Sequence, residues 1–242
     1  MTAWRIAIGA VAATLALPAA AADWAVPPGC SGFLTVQSKE CRVSNHYRCS
    51  NDSPDRQWQA DFDVDGLMLL TQTDAEARQW RIVDPRKGTD LSLDPMSSAI
   101  PKLSDLLRYN PDTALEQWMT GADGKKTFFL GFVQVIDEAV VIDGIALQRT
   151  VFNISKSVGD TRVVSGERGF GFVHPEWRLM FAGAGERFEG DMSNYKPHDG
   201  SPVDFVFADE PGFLSTRPIH DCEMMVSSAE ILGSTNSLRD LP

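Results

Sequence analysis

Residues 125–136 read KKTFFLGFVQVI. They are followed in close succession by AVVI (139–142), IALQRTVFNIS (145–155), TRVVSGERGFGFV (161–173) and WRLMFAGAG (177–185). Apolar runs this short, rich in Val, Ile, Phe and Thr and cut by turn residues, are strands of an antiparallel sheet. Asp143-Gly144 between two of them is a two-residue hairpin signal, because a type I′ turn needs positive φ at both central positions. In the first run Phe128, Leu130, Phe132 and Ile136 alternate with Phe129, Val133 and Val135. A strand apolar on both faces is expected to be covered on both. Gly166, Gly169 and Gly171 interrupt a later strand, where glycine marks a bulge or sharp coil that lets a sheet curl.

The rest of the chain repeats the pattern. Residues 33–37 and 41–49 read as short strands, and residues 57–73 as a hairpin. Trp58, Ala60, Phe62 and Val64 alternate there with polar residues up to Asp65-Gly66. A two-residue turn would set Val64 opposite Leu67 and Phe62 opposite Leu69. Residues 78–83, 114–120 and 202–207 are further strands; 114–120 also suits a helix. Ser98, Ile100, Leu103, Leu106 and Leu107 predict a helix over 98–109, ended by Pro111, and a second short helix fits 222–232. The expected fold is mainly β: a single curled antiparallel sheet, half-barrel or barrel-like, with one or two short covering helices. No repeat or linker divides it.

The amino terminus sets the compartment. Arg5, the apolar run 6–17 and Ala20-Ala21-Ala22 before Asp23 form a signal peptide over residues 1–22. That leaves one β domain over 23–233, a flexible tail over 234–242, and no later membrane-spanning segment. Cleavage leaves 21 Lys+Arg against 33 Asp+Glu, a net charge of −12. A surface this acidic, without a basic stripe, excludes nucleic acid as the natural partner. Periplasmic or secreted localisation follows.

Four cysteines in an exported chain imply two disulfides among Cys30, Cys41, Cys49 and Cys222. An extended 41–49 segment separates its ends by roughly 26 Å, too far for a bond that needs Cα atoms within about 7 Å. Cys41–Cys49 is therefore excluded. Of the two remaining connectivities, Cys30–Cys41 with Cys49–Cys222 is favoured because it closes a short local loop.

Signals for chemistry are few. Asp61-Phe-Asp63-Val-Asp65-Gly66 matches half of a calcium loop, but the twelfth position is Gln72 and the setting is a hairpin, so the carboxylates read as its wet face. His46, His174, His198 and His220 fall in no metal-ligand spacing. His220-Asp221-Cys222 is no nucleophile–base pair, since Cys222 completes the disulfide count. No nucleophile elbow or phosphate loop is present. No catalytic residue, metal or cofactor is assigned. The phenylalanines and tryptophans suit core packing or an apolar ligand site alike.

Together the four cysteines, Ile142-Asp143-Gly144-Ile145, Pro175-Glu176-Trp177-Arg178-Leu179 and Ser201-Pro202-Val203-Asp204-Phe205 resemble a group of uncharacterised exported proteins of alphaproteobacteria. The resemblance spans most of the mature chain and implies a disulfide frame with turn-flanked strands, but no activity. A weaker likeness of architecture links the curled sheet to periplasmic lipoprotein-carrier half-barrels. Fold alone does not license function. The expectation is a non-catalytic envelope protein that binds an apolar ligand, its site walled in part by the strand at 125–136. The alternatives are an assembly factor acting through an envelope protein partner, and a hydrolase with an unrecognised site.

Overall fold

The structure, a computed structural model, describes residues 24–97, 99–108, 114–159 and 162–223. The expected signal peptide, the tail and all but Cys222 and Glu223 of the 222–232 helix lie outside the described residues. Within them the chain forms one antiparallel sheet of 13 strands. In chain order these are β1 (Cys30–Ser38), β2 (Arg42–Cys49), β3 (Gln57–Asp63), β4 (Gly66–Thr73), β5 (Gln79–Asp84) and β6 (Thr89–Leu93). Then follow a one-turn helix α1 (Leu103–Leu106), β7 (Ala114–Gly121), β8 (Lys126–Ile142), β9 (Ile145–Val158), β10 (Arg162–His174), β11 (Leu179–Glu189), β12 (Lys196–Asp199) and β13 (Pro202–Val206).

Strands β1 to β12 pair in sequence order, and β13 adds to the free edge of β1. The sheet is mainly β and not closed. Its two ends nevertheless meet at one corner. Only Gly200 and Ser201 separate β12, at one edge, from β13, at the other. Gly200 N–H donates to Gly183 O (3.0 Å) and Lys39 N–H donates to Ser201 O (3.0 Å). One segment therefore ties β11 to β1 and rolls the sheet round an interior. Leu34, Val36 and Phe205 pack with Leu147, Phe172 and Leu179 along this seam.

The β10–β11 ladder slips register between Gly169 and Gly171, the kind of bulge that lets a sheet curl. A Cβ on Gly169 would lie 2.5 Å from Ala184 O, and one on Gly185 would lie 2.3 Å from Arg168 O. Only glycine permits backbones that close. The Asp143-Gly144 turn is as expected, with φ of 48° and 75°.

Several expectations need correction. Within the described part of 98–109, which leaves out Ser98 and Tyr109, the helix spans only Leu103–Leu106. Ala99 instead bridges to Glu116 as extended chain, and Ile100 precedes Pro101, which disfavours helical geometry at that residue. In the β3–β4 hairpin Asp63 faces Gly66 and Phe62 faces Leu67, with a bulge between Asp61 and Phe62. The turn is Val64-Asp65, pinned by the Asp65 N–H on the Asp63 carboxylate at 2.8 Å. Val64 is consequently exposed. Two short strands, β6 and β12, lack any strong pattern and are not legible from sequence.

The disulfides join Cys30 to Cys49 and Cys41 to Cys222. The favoured Cys30–Cys41 and Cys49–Cys222 links do not form, and the excluded Cys41–Cys49 link is absent. Cys30 already lies in β1, directly across the ladder from Cys49. The argument that separates Cys41 from Cys49 separates Cys30 from Cys41 as well. Cys41 sits at the β1–β2 turn, where its bond to Cys222 anchors the strap formed by residues 207–223.

Candidate functional site

The inner face of the roll divides into three zones. One end is closed by packing. Leu103 and Leu106 of α1 lie among Val133, Val135 and Val173, with Phe152 and Ile154 at the margin. Arg178, in the β10–β11 turn, holds this end: its guanidinium pairs with Glu76 (2.9 Å) and donates to Ser104 Oγ (3.0 Å) and to Ala75 O, while its backbone carbonyl accepts from Gln57 Nε2 (2.9 Å).

Next to this plug lies a cavity of about 400 Å³. Its apolar floor is Leu115, Phe129, Phe152 and Ile154; Phe188 joins them, and the rest of the wall is polar or charged, including Gln79, Gln117, Lys156, Glu167, Arg187 and Glu189. Period-2 alternation brings these side chains together. Leu115 and Gln117 of β7 face Gly131 and Phe129 of β8, which face Ile154 and Lys156 of β9. Gly131 lets β8 approach β9 closely, since a Cβ there would lie 1.9 Å from Asn153 O. Gln117 is buried and spends its amide on Gln79 O at 3.1 Å.

The second cavity, about 220 Å³, lies between β1–β3 and β10–β12. It is polar: Ser44, His46, Gln59, Asp61, Arg187 and His198 are among its walls, with Phe181 as an apolar side. His46 is 1% exposed, and among the described residues neither of its ring nitrogens has a hydrogen-bond partner. Its ring lies tilted 6.1 Å from Phe33 and edge-on 6.2 Å from Phe181. Burial pushes its pKa down to about 3, so the imidazole is neutral at ordinary pH. Asp61 accepts from Ser44 Oγ (2.5 Å) and Gln59 Nε2 (2.7 Å). Burial raises its pKa in spite of these bonds. His198 Nε2 lies 3.1 Å from Glu167, within ion-pair reach but off line for a hydrogen bond. Glu167 and Arg187, cross-strand neighbours, belong to the walls of both cavities.

The outer face is uneven. Over β1–β3 it is covered by Trp24, Val26 and the strap. Over β8–β10 Leu130, Phe132 and Phe170 stand exposed at 47, 39 and 44%. The strand at 125–136 is thus covered on its Phe129 face alone, contrary to the expectation of two covers.

The calcium-like stretch does not converge. Asp61 faces the second cavity, whereas Asp63 is clamped outside by Arg86 at 2.6 Å, which also holds its carboxyl below the usual range. The expectation of an entirely wet carboxylate face fails for Asp61. No group of three or more metal-ligating side chains occurs among the described residues. The rolled sheet brings His46 and His198 to one cavity although they are distant in sequence. His174 stacks on Trp177 (3.7 Å) and His220 pairs with Asp204 (2.6 Å), each away from it. His46 was legible as a residue but not as a site, because β1–β3 meets β10–β12 only through the Gly200-Ser201 corner. No helix of the described residues is long and apolar enough to cross a membrane. No family model, curated protein or solved structure matches the chain.

Proposed function

We propose that this chain is an exported, non-catalytic envelope protein, periplasmic or secreted, that binds an apolar ligand inside its rolled sheet. The observation that carries the reading is the cavity floored by Leu115, Phe129, Phe152 and Ile154. Its volume of about 400 Å³ falls within the range of small-molecule sites, roughly 300–1,000 Å³. An apolar floor surrounded by polar walls, which here include the charged Lys156, Glu167, Arg187 and Glu189, suits a ligand with an apolar part and a polar part. Both disulfides agree with an oxidising compartment. The test is native purification from the envelope followed by mass spectrometry of bound molecules. A lipid or hydrophobic compound at near-stoichiometric amount is expected, on a protein beginning at Asp23. Empty protein that also fails to bind added 1-octanol overturns the ligand reading, and a chain retaining Met1 overturns the compartment.

A second reading, a protein partner, is favoured by one observation: Leu130, Phe132 and Phe170 exposed on the outer face of β8–β10. Cross-linking from that face in intact envelopes would capture such a partner.

A further inference from the structure

The polar cavity poses a problem that packing alone does not solve. A buried imidazole whose two nitrogens lack partners loses the hydration it had in the unfolded chain, and proteins seldom leave such groups unmet. Neutral histidine offers one donor and one acceptor on opposite sides of the ring. A carboxylate can only accept and an ammonium group can only donate, so either leaves one nitrogen unmet. Two neighbouring hydroxyls, one donating and one accepting, meet both.

The rest of the wall points the same way. Ser44, Gln59 and Asp61 add mixed donors and acceptors. The charged side chains there include both signs: Arg42 and Arg187 against Glu40, Asp61 and Glu167, with Arg187 3.5 Å from Glu40. Such a wall selects neither an anion nor a cation. Phe181 supplies an apolar surface for the C–H face of a sugar or polyol. Glu167 and Arg187 line both this cavity and the apolar one, and their side chains are 42 and 46% exposed rather than packed in.

We infer that the ligand is an amphiphile with an uncharged polyhydroxyl head. Its apolar part lies against Phe129 and Ile154, and its head lies against His46, Ser44, Gln59 and Asp61. This rests on the apolar-ligand reading above and adds the class of the head group.

The probes are n-octyl-β-D-glucoside, sodium octanoate and octyltrimethylammonium, all below their micelle concentrations, with glucose as the chain-free control. Calorimetric titration of the full mature protein is expected to give octyl glucoside at least about tenfold tighter binding than either charged octyl compound, and glucose the weakest. His46→Phe fills the same space without polar atoms. It should weaken octyl glucoside about tenfold and leave octanoate unchanged. If His46→Phe fails to fold, Ser44→Ala carries the same comparison with a smaller loss. Equal affinities for all three octyl compounds, or no effect of these variants, overturn the head-group assignment while leaving the apolar reading intact. Glucose binding as tightly as octyl glucoside overturns the amphiphile in favour of a free-sugar site. Failure of every octyl compound removes the apolar reading itself.

Discussion

Strands β1–β3 and β8–β10 belong to one sheet but are held in opposite ways. In β1–β3 the strands are short and the outer face is sealed. Trp24 lies edge-on to Phe62 at 5.1 Å, and the strap bonds along β1 and the turn after it: Leu214 N–H to Thr35 Oγ1, Ile219 N–H to Gln37 Oε1 and Cys41 N–H to His220 O. Both disulfides are here. In β8–β10 the strands run to 17 residues, their outer apolar residues meet solvent, and their inner face borders the cavity floored by Leu115, Phe129, Phe152 and Ile154. The difference separates two tasks: a cross-linked, doubly covered wall fixes the roll, and a singly covered wall leaves space inside it.

The largest expected effect comes from the links. In the loop-entropy description the Cys41–Cys222 bond, closing 181 residues, contributes roughly 5 kcal/mol, and the Cys30–Cys49 bond, closing 19, roughly 3 kcal/mol. Urea unfolding of the Cys41→Ser/Cys222→Ser and Cys30→Ser/Cys49→Ser double variants should rank in that order. Hydrogen exchange in the first should rise at Leu214 and Ile219 before it rises in β8–β10. Equal losses, or exchange rising first in β8–β10, would break the contrast.

His46 gives the next effect. Its folded pKa of about 3 lies below the ordinary 6.5, so between those values the unfolded chain binds more protons. Stability must fall as pH drops through this window, by roughly 2 kcal/mol between pH 7 and pH 5. Asp61, its pKa raised by burial, acts in the opposite sense: it disfavours the fold as pH rises. The losses from Asp63 and Asp74, both held low, come at more acid pH. Comparing His46→Phe with the native chain isolates the histidine, and the variant should lose most of the slope from pH 7 to 5. An unchanged slope would mean that His46 is solvated.

Much of this fold was legible because its signals are local. Asp143-Gly144, the alternation in Gln57–Asp63 and the run at 125–136 each specify their own strand. What was not legible depends on partners far along the chain. The β3–β4 register was set by an Asp63 side chain bonding the turn. The disulfide pairing followed from β1 beginning at Cys30, three residues before its apolar run. The site needs the Gly200-Ser201 corner to bring β10–β12 against β1–β3, and no residue near His46 announces that meeting. The apolar chamber was closer to reach: Phe129, Phe152 and Ile154 all lie in runs read as strands, and only their common facing was missing.

A smaller effect is expected on the open face. Phe132→Thr removes an exposed ring from a strand position and should change stability by no more than about 0.5 kcal/mol. Phe62→Ala, in the sealed wall, should cost roughly 3–5 kcal/mol. A large loss for Phe132→Thr would show that the outer face of β8 is covered in solution.

The most direct test of the interior site is methyl NMR of the mature protein titrated with 1-octanol. Leu115 and Ile154 line the apolar cavity, whereas Leu130 stands on the opposite face of the same sheet. Saturable shifts at Leu115 and Ile154, with Leu130 unmoved, are the predicted result. Shifts confined to Leu130, or none at Leu115 and Ile154 at any concentration, would contradict an interior apolar site.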